Sequence, residues 1–187
     1  MRYVVNLMLF TIAVAVVGGY GVLPYLGARQ TLRPERVPAG RTPASLGWEY
    51  EEIAFQGAGV RLAGWFVPGR SPKTVILVHG TPAERSSLLE LGRGPRARGF
   101  SLLFYDQRAH GQSGGEVTTL GYLEPHDLLG AVDYLRSRSD TANQPIGALG
   151  VSLGAASVIG AAALSPEIRA VAADSLFASL GEVIEER

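Results

Sequence analysis

Hydrophobic and polar residues follow two patterns along the chain, and the first is a long uncharged segment at the N-terminus. Between Arg2 and Arg29 lie 26 residues without a charged side chain. A helix needs about 20 apolar residues to cross the hydrocarbon core of a bilayer, so we predict one transmembrane helix over residues 1–28. The alternative is a cleaved secretory signal peptide, which also has a short basic start and an apolar run. No A-x-A cleavage pattern follows the run, and this favours an uncleaved anchor.

The second pattern, in the rest of the chain, alternates short apolar runs with segments of helical spacing. Each run is continuous, as in a strand buried on both faces of a sheet, and the four runs are Thr74–Val78, Ser101–Tyr105, Ile146–Val151 and Ile168–Ala173. Helices are predicted at Arg85–Arg98, from Pro125 onward, at Leu153–Leu164 and from near Leu180. Strands that alternate with helices indicate crossover connections and a mostly parallel sheet with helices on both faces.

Two further strands are predicted ahead of the parallel ones. The segment from Trp48 to Phe55 mixes apolar and acidic residues, and Val60–Val67 alternates apolar with polar residues. Gln56–Gly59 joins the two, so they should form an antiparallel hairpin at one edge of the sheet. Residues 29–47 contain three prolines and no apolar period, which is typical of a linker. The predicted organisation is an anchor at 1–28, a linker at 29–47 and an α/β domain at 48–187.

Composition and charge exclude several classes of function. The chain has 17 basic and 17 acidic residues, so its formal net charge is zero. Nucleic-acid-binding proteins usually carry a basic surplus, and no nucleic-acid partner is expected. The absence of cysteine excludes a disulfide framework, a cysteine-ligated zinc site and a thiol nucleophile. Arginine is more frequent after the apolar segment than before it, which by the positive-inside rule favours a cytoplasmic domain, but this one asymmetry leaves the side of the membrane open.

The most informative motif is Gly150-Val151-Ser152-Leu153-Gly154, which fits the pattern G-x-S-x-G. In this pattern a serine nucleophile occupies a sharp turn between a strand and a helix. Here a predicted strand enters the motif and a predicted helix leaves it. The alternative is an accidental match in a stretch rich in glycine and alanine. We predict that Ser152 is the nucleophile and that Gly150 and Gly154 leave room for its turn.

A second candidate segment, His79-Gly80-Thr81, directly follows the first apolar run. Acyl transfer needs two backbone N–H donors for the tetrahedral oxyanion. Leu153, the residue after the candidate nucleophile, should supply one donor and Thr81 the other. His79 could be interpreted as a catalytic base, but it precedes Ser152 by 73 residues, in the loop expected to carry an oxyanion donor. We therefore interpret His79 and Gly80 as structural support for that loop.

A third candidate segment, residues 106–113, follows the second apolar run. Asp106 and His110 could be metal ligands or a charge pair. We favour a tight loop at the carboxyl edge of the sheet, held by Asp–Arg and side-chain-to-backbone hydrogen bonds. No metal site is expected.

Taken together and in this order, the segments resemble the α/β hydrolases. Within that superfamily they are similar to the membrane-anchored bacterial type, which includes serine aminopeptidase-like and Bem46-like hydrolases. The matching pieces are EYEEIAF, LAGWFVP, VILVHG, LLFYDQRAHGQSGG, DLLGAVDYLR, GVSLGAASVIGAAA and AVAADSLFASL. The resemblance implies a serine nucleophile, an oxyanion hole, a later acid and histidine, and no metal or organic cofactor. It further implies a small acyl substrate or short peptide and a single-pass location in a bacterial inner membrane. One departure is Ala109, where the family commonly has glycine.

The residues after Ser152 do not complete a catalytic triad. The family order is Ser, then Asp or Glu, then His, and the 35 residues after Ser152 contain no histidine. Asp174 is a candidate acid, with a loop-capping carboxylate as the alternative. The chain is therefore expected to be a fragment that lacks the last strands of its sheet and is nearly inactive by itself.

Two functions of different classes are compatible with these features. The first is a serine hydrolase of ester, thioester or amide bonds. The alternative is a catalytically inactive, membrane-tethered binding or scaffolding module that has kept the hydrolase fold, because fold alone does not establish activity.

Overall fold

The computed structural model describes residues 2–175. These residues divide into two compact units, one that ends at Arg33 and one that begins at Pro34. The helix predicted from near Leu180 lies outside the described residues.

The first unit is one long helix. Helix α1 (Arg2–Val17) continues through a π-helical segment (Gly18–Val22) into α2 (Leu23–Leu32). Together, the 31 residues Arg2–Leu32 are long and apolar enough to cross a membrane, although a signal sequence would pass the same test. The helix continues past the predicted end at residue 28. It stops at Arg33, with φ −120° and ψ 73°, because the following proline disfavours helical dihedrals in the residue before it.

The second unit is built on a six-stranded sheet. Its strands are β1 (Glu51–Gln56), β2 (Arg61–Val67), β3 (Thr74–Val78), β4 (Ser101–Tyr105), β5 (Ile146–Val151) and β6 (Ile168–Asp174). They lie in the order β1-β2-β4-β3-β5-β6. The pairs β1–β2 and β2–β4 are antiparallel, and the pairs β4–β3, β3–β5 and β5–β6 are parallel. The predicted fold class, a mostly parallel sheet with an antiparallel hairpin at one edge, is confirmed.

Helices cover both faces of the sheet, and the core is divided accordingly. They are α3 (Leu89–Ala97), α4 (Glu124–Ser137) and α5 (Leu153–Leu164). On one face, Leu128 of α4 and Val158 of α5 pack with Ile76 of β3. On the other face, Leu89 of α3 packs with Trp65 of β2. The apolar runs of β3 and β4 are therefore buried by helices from both sides.

Two elements differ from the prediction. The helix predicted over Arg85–Arg98 begins as a 3₁₀ turn (Arg85–Leu88), and α3 itself starts only at Leu89. Strand β6 forms, but apart from Ile168 its residues are exposed rather than buried on both faces. The reason is its position, because within residues 2–175 β6 is the outermost strand and pairs with β5 alone.

Part of the predicted linker is fastened to the second unit. Arg36 donates hydrogen bonds to the carbonyl oxygens of Gly111 (3.2 Å), Ser113 and Gly115 (2.6 Å). A 3₁₀ turn forms at Pro43–Leu46 before β1 begins. The chain thus runs along the loop after β4 before it enters the sheet.

Candidate active site

Three connections that follow parallel strands meet at one edge of the sheet. They are the loop after β3, the loop after β4 and the turn between β5 and α5. The carboxyl ends of parallel neighbours point the same way, and in open α/β sheets the binding crevice lies outside these ends. The predicted site residues lie in these connections or directly beside them, with Gly150 at the end of β5, Leu153 and Gly154 at the start of α5, and Asp174 at the end of β6.

Ser152 occupies the turn between β5 and α5. Its backbone has a positive φ (φ 53°, ψ −117°), a conformation that residues other than glycine rarely adopt. Its N–H donates to the carbonyl oxygen of Asp174 (2.9 Å), so the turn is attached to the end of β6. The residue is partly exposed, and within the described residues its hydroxyl has no hydrogen-bond partner.

Gly150 and Gly154 lie where the turn has no room for a side chain. A Cβ on Gly150 would overlap the carbonyl group of Gly154 and lie 2.7 Å from the Ala155 nitrogen. A Cβ on Gly154 would overlap the carbonyl group of Val78 and lie 2.7 Å from the His79 oxygen. In both cases the obstacle is backbone, which cannot rotate away as a side chain can. The close packing expected of both glycines is present.

The loop after β3 lies against Ser152. A Cβ on Gly80 would be 3.0 Å from the Ser152 Cβ and 3.6 Å from its hydroxyl oxygen. Thr81 follows Gly80 directly, and Leu153 is the first residue of α5. The structure therefore brings the segments of both predicted oxyanion donors to the same hydroxyl group. Their part in a reaction remains a prediction.

His79 is buried, and both of its ring nitrogens are engaged. Nδ1 lies 2.6 Å from the Gly80 carbonyl oxygen, which can only accept, so Nδ1 carries the proton. Nε2 accepts from the backbone N–H of Gln107 at 3.0 Å. Burial lowers the pKa of His79 to about 3, an effect that the Gly80 hydrogen bond opposes and that His110 reinforces. A neutral ring with no free lone pair supports the structural interpretation of His79.

His110, in the loop after β4, is also buried and also has both nitrogens engaged. Nδ1 lies 2.8 Å from the Arg108 carbonyl oxygen, so Nδ1 again carries the proton. Nε2 then accepts from the hydroxyl of Thr81 at 3.0 Å. Burial lowers the pKa of His110 as well, which keeps the ring neutral. His110 thus bonds to the side chain of Thr81, the residue whose backbone N–H is a predicted oxyanion donor.

The loop after β4 is held by hydrogen bonds of its carboxylate and arginine residues. Asp106 accepts from the backbone N–H groups of Arg85 (2.8 Å) and Gln112 (2.9 Å). Arg108 makes two bonds, of 2.6 and 2.7 Å, to Asp127 on α4. Within residues 2–175, no group of three or more His, Cys, Asp or Glu residues is arranged to hold a metal ion. The geometry agrees with a tight structural loop.

Ala109, where the resemblance led us to expect glycine, has φ 62°. This left-handed conformation costs an L-residue roughly 1–2 kcal/mol and costs glycine almost nothing. Ala109 therefore replaces glycine at a position whose backbone conformation glycine favours. The turn keeps this conformation with alanine, and the Ala109 N–H donates to the Gly114 carbonyl oxygen at 2.9 Å.

Asp174, the candidate acid, ends β6 next to the Ser152 turn. Its backbone carbonyl accepts from the Ser152 N–H, and its carboxylate accepts from the Ser175 hydroxyl at 3.2 Å. Among the described residues, no histidine is bonded to this carboxylate. The observed contacts are backbone support for the turn, and a role as triad acid remains a prediction.

Sequence reasoning missed two buried polar residues at this edge, Gln107 and Ser157. The Gln107 side chain donates to the His79 carbonyl oxygen (2.5 Å) and accepts from the Ser157 hydroxyl (3.0 Å). Ser157 is the only polar residue in α5, and that alone could have drawn attention to it. Gln107 had no comparable signal, because its partners lie in the loop after β3 and in α5, both distant from it in sequence.

Comparisons with known proteins agree with this geometry. The family described as X-Pro dipeptidyl-peptidase (S15 family) matches residues 58–186, more than half of the chain. The uncharacterized protein YfhR of Salmonella typhi is 32% identical over 196 residues, which cover 95% of this chain and 65% of that protein. The structure of the Pyrococcus furiosus esterase Pf2001 is 33% identical with a TM-score of 0.74, and the match covers 78% of this chain and 57% of the esterase. Dienelactone hydrolase from Anabaena variabilis shares the fold, with a TM-score of 0.60 and 24% identity over 69% of this chain and 64% of that protein.

The fold is that of the α/β hydrolases, as the sequence resemblance implied. Within that superfamily, the chain belongs to the X-Pro dipeptidyl-peptidase (S15) family. It spans about 65% of the length of YfhR and 57% of the length of the esterase.

Proposed function

We propose that the protein is a serine hydrolase of ester, thioester or amide bonds in which Ser152 is the nucleophile. The observation that carries the proposal is the positive-φ turn between β5 and α5, where Ser152 is partly exposed and its hydroxyl has no partner among the described residues. Membership of a peptidase family and similarity to an esterase structure support this class of reaction. The proposed substrate is a small acyl compound or a short peptide.

The backbone N–H groups of Thr81 and Leu153 are proposed to bind the oxyanion. Leu153 begins α5, so its N–H has no carbonyl group one turn earlier to bond with. The start of a helix also carries a partial positive charge that favours a nearby anion. Gly80 contacts Ser152 and is followed by Thr81, whose N–H would be the second donor. Both donors would bind the oxygen that becomes negative when Ser152 attacks the acyl carbon.

The general base is proposed to come from outside residues 2–175. His79 and His110 have both ring nitrogens engaged, and neither is bonded to Ser152. His126 is exposed and makes no hydrogen bond to Ser152 within the described residues. Residues 176–187 contain no histidine in their sequence. A serine without a base is a weak nucleophile, so we expect the 187-residue chain by itself to hydrolyse p-nitrophenyl esters close to the background rate.

Active-site labelling tests the role of Ser152. The intact protein, expressed from its whole gene and solubilised in detergent, is treated with a fluorophosphonate probe that reacts with activated serine hydroxyls. The wild type should be labelled on the peptide that contains Ser152, and Ser152→Ala should not be labelled. Ser137→Ala is the matched control, because Ser137 is an exposed serine on α4 and its loss should not change labelling.

Two results would overturn the proposal. Equal labelling of the wild type and Ser152→Ala would place the reactive serine elsewhere. No labelling of a folded, intact wild type would favour the binding or scaffolding module. Strong ester turnover by the 187-residue chain that depends on Ser152 would instead leave the nucleophile in place and refute the assignment of the three histidines.

A further inference from the structure

Gln107, the second residue after β4, bonds to two other parts of the candidate site. Its side-chain nitrogen donates to the His79 carbonyl oxygen (2.5 Å), and its side-chain oxygen accepts from the Ser157 hydroxyl on α5 (3.0 Å). Its backbone N–H donates to Nε2 of His79 (3.0 Å). Gln107 is 1% exposed and Ser157 is 0% exposed, so water does not compete for these bonds. One side chain thus joins the loop after β3 to α5.

The partners fix the direction of each bond. A carbonyl oxygen only accepts, so the His79 oxygen must face the NH₂ group of Gln107, and the amide oxygen must then face Ser157. The Ser157 hydroxyl has one proton and two acceptors within reach, the Gln107 oxygen and the Leu153 carbonyl at 2.9 Å. The Leu153 carbonyl already accepts the helical N–H of Ser157. Within residues 2–175, the Gln107 oxygen has no other donor, so the Ser157 proton belongs to it.

The two segments joined in this way are those of the proposed oxyanion donors. His79 lies two residues before Thr81, and Ser157 lies one helical turn after Leu153. The two donors belong to different connections of the sheet, so their relative position depends on contacts between those connections. An oxyanion hole works only when both N–H groups lie about 2.7–3.1 Å from the position of the negative oxygen.

We propose that Gln107 is a positioning residue that fixes the separation of the Thr81 and Leu153 N–H groups by holding the loop after β3 against α5. The inference rests on the proposed function of these two donors. Gln107 itself does not touch the reacting atoms. Its effect is on geometry, and a displacement of about 1 Å at a reacting centre can lower a rate by about 10²-fold.

Three variants and one control separate positioning from general stability. Gln107→Met keeps the length of the side chain and removes both hydrogen bonds, and Gln107→Glu keeps an acceptor for Ser157 but loses the NH₂ donor to His79. Ser157→Ala removes only the bond at the α5 end. The control is Thr74→Val, which removes a partly buried hydrogen bond from buried Thr74 to Gln144 (2.7 Å) at the opposite end of β3.

Ester hydrolysis by the intact protein gives the kinetic reading. Gln107→Met should lower kcat by about 10- to 100-fold with KM within about 2-fold, because the donors act on the transition state rather than on the bound substrate. Gln107→Glu should also lower kcat, and Ser157→Ala should lower it less, since the bond to His79 remains. Thr74→Val should leave kcat unchanged. Equal kcat losses in Thr74→Val and Gln107→Met would refute the positioning role.

Amide hydrogen exchange gives a reading that does not depend on turnover. Residues 79–84 and the first turn of α5 should exchange faster in Gln107→Met than in the wild type, and Thr74→Val should not show this change. Unchanged exchange in both segments would overturn the inference, whether or not the protein is an enzyme. If exchange is faster in Gln107→Met but turnover survives Ser152→Ala, the positioning role of Gln107 would be supported and the proposed nucleophile would be overturned.

Discussion

At the scale of single residues, the serine turn depends on the absence of a side chain at Gly154. In the Gly154→Ala variant the new methyl group would overlap the Val78 carbonyl, and relief would require α5 to move away from β3. We expect a loss of about 2–3 kcal/mol of stability, as for other overpacked cores. Thermal unfolding of the intact protein in detergent, followed by tryptophan fluorescence, measures the loss.

Gly147, on the same strand β5, is the matched control. A Cβ at Gly147 would meet its nearest neighbour, the Ala170 carbonyl oxygen, at an ordinary 3.6 Å. Gly147→Ala should therefore unfold at nearly the same temperature as the wild type. If the two alanine variants were equally stable, close packing at Gly154 would not be the reason for its glycine.

His79 should make stability depend on pH. Its pKa is lowered by burial from 6.5 to about 3, so the unfolded chain binds a proton between these values and the folded chain does not. The contribution of His79 to stability is fully present above pH 6.5. Below that pH, the free energy of unfolding falls by about 1.4 kcal/mol per pH unit for one such group. His110 adds to this slope because burial lowers its pKa too.

The variant His79→Gln isolates this contribution. Glutamine does not titrate, so the slope of stability against pH between about 6.5 and 4 should decrease by the equivalent of one proton. Urea unfolding at several pH values gives the slope for each protein. Identical slopes in variant and wild type would show that His79 is not the neutral, buried group described above.

At the scale of elements, the loop after β4 is tied to α4 by a buried ion pair. Arg108 and Asp127 are 6% and 1% exposed at their side chains, and Asp127 also accepts from the Ala58 N–H (2.8 Å) in the β1–β2 turn. Asp127→Asn keeps the shape of the side chain but removes the carboxylate that is bonded to buried Arg108. We expect a loss of about 3–5 kcal/mol.

A surface ion pair provides the control for Asp127→Asn. Arg93 and Glu90 on α3 have side chains that are 55% and 53% exposed, and such pairs add little to stability. Glu90→Gln should unfold at the wild-type temperature in the same melting experiment. A small effect of Asp127→Asn, similar to that of Glu90→Gln, would mean that the loop does not depend on its buried pair.

The sequence predicted most elements of the second unit because each has a local cause. Thr74–Val78 and Ser101–Tyr105 are uninterrupted apolar runs, and both form strands with the predicted bounds. The Ser152 motif likewise lies between a strand and a helix. The exposure of β6 was not predicted, because its run is apolar apart from Arg169 and the order of the strands in the sheet, which puts β6 outermost among the described residues, cannot be read from one segment.

The hydrogen bonds of the candidate site were beyond sequence reasoning for a related cause. Gln107, His79 and Ser157 are distant in sequence and meet only because three connections end at one edge of the sheet. Arg36 is a similar case, since its carbonyl partners lie more than 70 residues away. A sequence motif predicts the structure of neighbouring residues only, whereas these contacts depend on the topology of the whole domain.

At the scale of the whole molecule, we propose that residues 2–32 hold the protein in a membrane. This proposal is based on the length and apolar character of the helix. The wild type should remain in the membrane pellet after carbonate extraction. Leu9→Arg combined with Val14→Arg should release it, because each central arginine opposes insertion by about 2.5–3.5 kcal/mol.

Two exposed residues of the domain provide the control for extraction. Glu116→Arg with Asp140→Arg adds the same number of arginines outside the helix and should leave the protein in the pellet. Soluble wild-type protein with an N-terminus near Arg29 would identify the segment as a cleaved signal instead. The same fractionation thus distinguishes the two alternatives that the sequence left open.

The two buried, neutral histidines also give this chain a simple chemical fingerprint. Diethyl pyrocarbonate acylates an imidazole through a nitrogen lone pair that solvent can reach. His79 and His110 offer none, being 0% and 1% exposed with every ring nitrogen engaged, whereas His126 is exposed. The folded chain, which has three histidines, should carry a carbethoxy group on one histidine, His126, and on all three after unfolding. Mass spectrometry of the modified chain would therefore count folded molecules without any substrate.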